Sequence, residues 1–467
     1  MTTPACYQPL PPGVKHPHTR RTLPCAVVDV PASPLGDTDR VPTFPTHPLR
    51  AVLLPMMVLA ACGGSNPTPA GDAGTPGACV GGGGGTVVGQ VIDAYGQPIS
   101  GLTVVQAGRS ITADANGCVT FTNVTFPYDI AVVRTTSSPK SATVYIQLTR
   151  SDPKLRDLSP AGVGTPGRRG TIGGTLAGTF PGAGGATTAI SLGTPESSSG
   201  TFVTALPWSL GVGWAGATST TGTLHALQWT ADANGTLTGI TSHGVRSGVT
   251  LTSGTTTNNA DVTLTPVTNP AAVTGPIALP SGYTLSSRTA YLTFADGAFF
   301  PVSDDLATST SFALPVPTSI GASVIYTATA DDGVSQQSTA QLSGLAPGTS
   351  NAVLTLPSPA VLTAPPTGTT GVDVNTPFTW TPVPGGLTIL VMTGQGSDPS
   401  FYVVSGRAGG HIPDLGALGI GAGRTYDLTL VALGPYASVD AFTATGIFPR
   451  EGLGFQTLSQ GYRFTTK

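Results

Sequence analysis

Residues 87–98 read Val-Val-Gly-Gln-Val-Ile-Asp-Ala-Tyr-Gly-Gln-Pro, and this stretch decides the fold class. Apolar side chains recur at both odd and even positions from 87 to 92, which is typical of a strand covered on both faces. The Asp-Ala-Tyr-Gly segment that follows has the composition of a turn. A short buried strand that ends in a tight turn predicts an antiparallel β-sandwich.

Short strands and turns of the same kind continue to residue 149. The segment 114–117 reads Asp-Ala-Asn-Gly, and Asn and Gly tolerate the positive φ angles of a tight turn. Short apolar runs lie on either side of it, at 104–105, 119–121, 130–132 and 144–148. This spacing predicts one small sandwich over residues 86–149.

The same segment resembles the carboxypeptidase regulatory-like domain, a transthyretin-like β-sandwich. The residues that carry the family pattern are Val87, Gly89, Val91, Asp93, Gly96, Pro98, Gly101, Val104, Asp114, Asn116, Gly117, Tyr128, Ile130 and Val132. Phe126-Pro127 stands where the family usually has Pro-Gly. The resemblance implies an accessory module without a zinc site, and it implies no peptidase activity.

The composition of the whole chain extends the all-β prediction beyond this segment. Of 467 residues, 9% are charged, against roughly 25% in ordinary soluble domains. Lys occurs four times and Glu twice, which argues against exposed helices because these residues usually fill them. A hydrophobic share of 39% argues against global disorder. The net charge of −3 and the pI near 6.0 predict no nucleic-acid partner.

A targeting signal lies near the N-terminus. Arg50 precedes an apolar run at 51–61, and this run suits the hydrophobic part of a signal peptide. The sequence Leu-Ala-Ala-Cys that ends at Cys62 resembles the lipobox of bacterial lipoproteins. The resemblance implies cleavage before Cys62, a lipid anchor on its thiol, attachment to a membrane and a location in the bacterial cell envelope. A short buried strand that ends in an ordinary Cys is the alternative.

Residues 1–61 are therefore expected to hold an N-terminal extension and a signal peptide. The extension is rich in Pro and polar residues, unlike the start of a signal peptide. A translation start at a non-AUG codon, for example that of Val41, would leave a signal peptide that ends at Ala61.

Two cysteines remain for the exported chain. Cys6 and Cys25 lie in the extension and Cys62 would carry lipid, which leaves Cys79 and Cys118. An oxidising envelope favours one disulfide between these two. Two buried free thiols are the alternative.

The rest of the chain divides into further β domains after a Gly- and Pro-rich tether. We predict a tether at 62–85, a linker at 150–169, and β-sandwiches at 170–266, 267–357 and 358–467. The last of these resembles a fibronectin type III or immunoglobulin-like domain through Phe378-Thr-Trp380 and the segment around Tyr426. That resemblance implies a tyrosine whose hydroxyl bonds back to the backbone.

The chain offers few candidates for chemistry. His225 shares an alternating face with Leu227 and Trp229 and is expected in the core, His243 is expected in a loop, and His411 follows two glycines. No HExxH, paired CxxC or GxSxG motif occurs, and the pairs at 304–305 and 331–332 are interpreted as turns. We predict no catalytic residue, no metal and no cofactor. An enzyme would instead require a pocket in which His243 or His411 meets aspartates.

The leading hypothesis is a non-enzymatic envelope lipoprotein with a structural, adhesive or protein-interaction role. The alternative is a carbohydrate-binding lipoprotein, in which Trp208 and Trp214 would stack on sugars because they lie in a Gly-rich stretch. This alternative requires at least one of the two indoles to be exposed. A secreted hydrolase or its accessory is the third hypothesis. The partners expected are the membrane and, beyond it, envelope proteins or glycans.

Overall fold

A computed structural model describes most of the chain after residue 78. The described residues are 79, 81–93, 96–137, 139–160, 167–180, 182–195, 197–214, 216–268, 270–305, 308–415, 418, 420–445 and 452–467. All of these residues belong to one compact unit. The extension, the apolar run at 51–61, Cys62 and the tether up to residue 78 lie outside the described residues.

The described residues of the first module form seven strands. They are β1 (Val87–Ile92), β2 (Thr103–Gln106), β3 (Arg109–Thr112), β4 (Cys118–Phe121), β5 (Tyr128–Arg134), β6 (Ser141–Leu148) and β7 (Lys154–Arg156). Strand β1 lies between β4 and β7 in one sheet. Strand β7 comes from the stretch predicted as a linker, and it pairs in parallel with β1.

Ten strands lie in the part of the second module that the structure describes. They are β8 (Arg168–Gly174), β9 (Leu176–Ala177), β10 (Thr187–Gly193), β11 (Ser198–Phe202), β12 (Trp208–Trp214), β13 (Ser219–Ala231), β14 (Leu237–Thr252), β15 (Thr256–Thr257), β16 (Val262–Thr263) and β17 (Thr265–Pro266). Two sheets, in the orders β11-β10-β13-β14-β17 and β12-β8-β15, contribute to one apolar core.

The third module contains seven strands. They are β18 (Pro270–Ala278), β19 (Thr284–Thr293), β20 (Phe299–Asp305), β21 (Ser311–Pro317), β22 (Ser323–Asp331), β23 (Gln337–Leu345) and β24 (Leu354–Thr355). Strands β21, β18 and β24 form one sheet, and the order β20-β19-β22-β23 belongs to a second, larger sheet.

In the described part of the fourth module, nine strands and one short helix follow. They are β25 (Leu362–Ala364), β26 (Thr370–Val372), β27 (Phe378–Trp380), β28 (Leu387–Gly394), β29 (Ser400–Ser405), β30 (Gly409–Gly410), β31 (Thr425–Gly434), α1 (Val439–Thr445), β32 (Gly452–Leu458) and β33 (Tyr462–Thr466). Phe378 and Trp380 are buried on one face of β27, as the alternating sequence predicts. The prediction of an all-β fold is confirmed.

Strand pairing continues from one module to the next. A fourteen-stranded sheet follows the order β20-β19-β22-β23-β32-β31-β28-β29-β6-β5-β2-β3, with β33 and β26 attached beside β31. The third and fourth modules join through the antiparallel pair β23–β32, and the first and fourth join through the parallel pair β6–β29. These pairs occupy strand edges that would otherwise present unpaired N–H and C=O groups.

The apolar cores also cross the modules. Strands β5 and β6 are buried on both faces. Val132 and Tyr145 lie in a cluster with Phe442 of α1, whereas Val133 and Val144 lie in a larger cluster that extends through parts of the second, third and fourth modules. Within the described residues, no helix is both long enough and apolar enough to span a bilayer.

Candidate functional site

The two cysteines left for the exported chain form a disulfide, although Cys79 lies within the stretch predicted as a tether. The Cα atoms of Cys79 and Cys118 lie 5.7 Å apart, and the bond joins the segment before β1 to the first residue of β4. The sequence left a disulfide and two buried free thiols as alternatives, and the structure has the disulfide. Cys62 lies outside the described residues, so its lipidation stays a prediction.

Trp208 and Trp214 do not form an exposed platform. Their exposed fractions are 4% and 1%, and both lie in the apolar core of the second module. The cause is alternation along β12, whose buried positions are 208, 210, 212 and 214. The Trp214 indole N–H donates to the Ala217 carbonyl, 2.9 Å away. Burial removes the observation on which the sugar-stacking alternative depended.

His243 lies in a strand rather than in the loop expected from its Gly and Ser neighbours. It belongs to β14, which pairs with β13 over most of its length. The pairing sets His243 opposite Leu227 and sets His225 opposite Val245. The two histidines are therefore diagonal neighbours across the strand pair, which is within reach of ring side chains.

The histidines form a hydrogen-bonded chain with an aspartate of the third module. His225 Nδ1 lies 3.1 Å from His243 Nε2, and His225 Nε2 lies 2.8 Å from Asp296 Oδ2. A carboxylate only accepts, so His225 Nε2 carries a proton. In the neutral ring His225 Nδ1 then accepts from His243 Nε2–H. We call His225, His243, Asp296 and the adjacent Phe294 the histidine junction.

Phe294 covers both imidazoles. Its ring centroid lies 4.0 Å from that of His225 and 5.3 Å from that of His243, at interplanar angles of 30° and 6°. The two imidazole centroids are 5.4 Å apart at 25°, while the bonded nitrogens are 3.1 Å apart. The rings therefore meet edge to edge, with their nitrogens directed at each other. This arrangement suits a bridging proton.

The electrostatics of the histidine junction follow from its burial. His225 is 6% exposed. Burial, and secondly the charge of His225, lowers the pKa of His243 to about 4. For Asp296, burial raises the pKa, but hydrogen bonds from His225 and the Ala298 amide outweigh burial and hold that pKa below its usual range.

A shallow cavity of about 280 Å³ lies beside Asp296. Its lining is mostly small and neutral: Gly193, Thr194, Pro195, Thr221, Gly222, Thr223 and Gly248 complete the wall. Thr223 donates a hydrogen bond to Asp296. The cavity thus presents one carboxylate and threonine hydroxyls.

Neither His243 nor His411 contacts an aspartate directly in the described residues. His243 reaches Asp296 only through His225, and His411 is exposed on a segment after β30. Within the part of the chain that is described, no three His, Cys, Asp or Glu side chains are grouped so that they could hold a metal ion.

Asp296 is the functional candidate that sequence reasoning missed. It stands in an Asp-Gly pair at the turn between β19 and β20, and Asp-Gly is ordinary turn chemistry. Leu237 and Ile240 stand three residues apart, so no two-residue alternation marks His243 as a strand residue. No local pattern could have brought Asp296 to His225, because 71 residues separate them.

The comparisons with known proteins add little to this description. No protein-family profile matches the chain, and no curated protein matches it. Among solved structures the chain is similar to the Bacillus anthracis TIE protein, with 9% identity and a TM-score of 0.13 over 58% of this chain and 51% of that one. It is also similar to two B repeat units of the Staphylococcus aureus collagen binding protein CNA, with 9% identity and a TM-score of 0.13 over 76% and 97%. This chain spans about half the length of the TIE protein, and at these scores neither alignment supports an inference.

Proposed function

We propose that the chain is a non-enzymatic module of the bacterial cell envelope, anchored by lipid on Cys62, with a structural, adhesive or protein-binding role. The observation that supports this most is the sheet that continues through the first, third and fourth modules. Pairing between edge strands holds the modules in a fixed orientation. A structural role requires such rigidity, whereas a hinge that moves on ligand binding requires modules that can rotate. The disulfide between Cys79 and Cys118 suits an oxidising envelope.

A lipid anchor fits the order of segments along the chain. A Gly- and Pro-rich tether separates Cys62 from the disulfide and from β1. A single acyl chain binds membranes only marginally, whereas two or more give stable attachment. We therefore place the β modules just outside a membrane, with envelope proteins as the partner class.

The test replaces the lipidated residue. Cys62→Ala should abolish incorporation of a labelled fatty acid and move the protein from the membrane fraction to the soluble fraction, because the tether holds no other apolar anchor. If deletion of the gene causes an envelope or attachment defect, the wild-type protein and the Asp296→Asn variant should each restore the normal phenotype when they are expressed in the deletion strain. The Cys62→Ala variant should not restore it.

Cys25→Ala is the matched control, since it removes a thiol of the extension. It should behave as wild type. Labelled, membrane-bound Cys62→Ala protein would refute the anchor, whereas a failure of Asp296→Asn alone to restore the phenotype would point to chemistry at Asp296.

A further inference from the structure

We propose that the histidine junction is an acid-sensitive contact between the second and third modules, which holds one added proton and opens when the two histidines take up a second. The elements that meet there are the strand pair β13–β14 of the second module and the turn at 294–298 of the third. The proposal concerns regulation and is independent of the proposed function.

The bonding pattern sets how many protons the junction can hold. With both rings neutral, a single proton bridges His243 and His225 while His225 donates to Asp296. One further proton makes His225 an imidazolium that donates to Asp296 from Nε2 and to His243 from Nδ1, so every contact is kept. A second added proton places N–H groups face to face across 3.1 Å and puts two cations side by side.

The surroundings do not offset the second charge. Among the described residues, Asp296 is the one carboxylate bonded to the pair, and it already pairs with His225. The described neighbours on β10 and β17 are neutral, with Ser191 opposite His225 and Thr265 opposite His243. Arg246 lies on the same strand as His243 and donates to the carbonyls of Asn259 and Asp261, and the Asp261 carboxylate accepts from Thr175.

The contact is one of several links between the two modules, which also share an apolar cluster and hydrogen bonds between residues 235–237 and 303–304, so opening would loosen the junction locally. Besides the His225–Asp296 pair, the Phe299 amide donates to Ser191 Oγ at 3.1 Å, and Gly193 packs against the backbone of residues 296–298. Phe294 lies on both imidazoles and also packs against Phe300 of β20. A displaced His243 ring would therefore uncover one face of Phe294 and weaken the packing of the 294–298 turn.

The sign of the pH dependence follows from the lowered pKa of His243. The opened form has an ordinary histidine pKa, near 6.5, and the closed form holds the pKa of His243 at about 4. Between these values the opened form binds more protons, so acidification from pH 6.5 toward pH 4 favours opening. Each pKa unit of difference is worth a factor of ten in the equilibrium.

The experiment is amide hydrogen exchange of the full chain at pH 7.5 and pH 4.5, corrected for intrinsic rates. Peptides that cover 222–228 and 293–299 should exchange roughly ten- to a hundredfold faster at pH 4.5, while the turn at 114–117 stays unchanged. His243→Gln cannot take up the proton and should remove the acid response, whereas His411→Gln makes the same change at an exposed histidine and should keep it.

Two results would overturn the proposal: no acid-induced gain in exchange at the junction of the wild type, or an undiminished gain in His243→Gln. An NMR titration of the wild-type imidazoles decides the matter if that variant does not fold. Coupled titration with a last step near pH 4 supports the proposal. Independent titration of both rings near pH 6.5 rejects it.

Discussion

Gly193 ends β10 where the second module meets the turn before β20. A Cβ atom at this position would lie 2.5 Å from both the Asp296 carbonyl oxygen and the Ala298 nitrogen. Because the obstacles are backbone atoms, they cannot move aside as a flexible side chain could. Gly193→Ala should therefore lower the free energy of unfolding by about 1–3 kcal/mol, measured by urea denaturation.

Gly211→Ala is the control for that substitution. Gly211 also lies in a strand of the second module, but a Cβ there would meet nothing within 4 Å. Its effect should stay within about 0.5 kcal/mol. Equal losses in the two variants would show that the close approach of Gly193 to Asp296 does not contribute to stability.

At the residue scale, the sequence predicts conformations that depend on near neighbours. The turns that begin at Asp114 and Asp232 share the sequence Asp-Ala-Asn-Gly, and in both the Asp Oδ1 accepts from the amides two and four residues on. The burial of Trp214 was predictable from alternation along its strand. The partner of His225 was not, since it comes from another module.

At the element scale, Asp440 of α1 connects the fourth module to the end of β6. Its Oδ1 accepts from the amides of Thr149 at 2.9 Å and Arg150 at 3.1 Å, and its Oδ2 accepts from the Thr149 hydroxyl. Hydrogen bonds to a charged acceptor are worth more than neutral ones. Asp440→Ala should lower the free energy of unfolding by about 1–2 kcal/mol, discounted for partial exposure, in chemical denaturation.

Asp427→Ala provides the comparison for Asp440. Asp427 pairs with Arg463 at 2.7 Å, and both side chains are more than half exposed. Exposed pairs contribute about 0–1 kcal/mol, so this loss should be the smaller one. A larger loss for Asp427→Ala than for Asp440→Ala would contradict the role assigned to Asp440.

Elements of the first module were predictable because each signal is local. Strand β1 and the turn after it follow from residues 87–96, and β27 follows from Phe378-Thr-Trp380. Strand β7 was not predicted, because its stretch carries Lys154 and Arg156 among polar residues. Its place is set by pairing with β1, which a charged sequence does not reveal.

At the scale of the whole molecule, composition was enough for the all-β class but not for the way modules join. The parallel register of β6 with β29 links Ser141 to Ser400, across more than 250 residues. The sequence of an edge strand does not show which other edge strand it will pair with, because the hydrogen bonds between strands join backbone groups. Separate tandem domains and one continuous sheet therefore look alike in sequence.

The continuous sheet predicts that the first and fourth modules unfold together. Phe442 of α1 is 5% exposed, lies in one apolar cluster with Val132 and Tyr145 of the first module, and packs on Tyr436 at a ring distance of 5.1 Å. Phe442→Ala should create a cavity that costs about 3–5 kcal/mol. Native-state hydrogen exchange should show this loss in β5 and β6 as well as in β28 and β31.

Leu251→Ala is the control for the whole-molecule prediction, because Leu251 lies in a cluster confined to residues 172–264 of the second module. It should weaken protection in β13 and β14 by about 2–5 kcal/mol and leave β5 and β6 largely unaffected. Loss of protection in the fourth module alone after Phe442→Ala would show that the first module folds independently. Equal loss in β5 after both substitutions would instead mean that the second module belongs to the same cooperative unit.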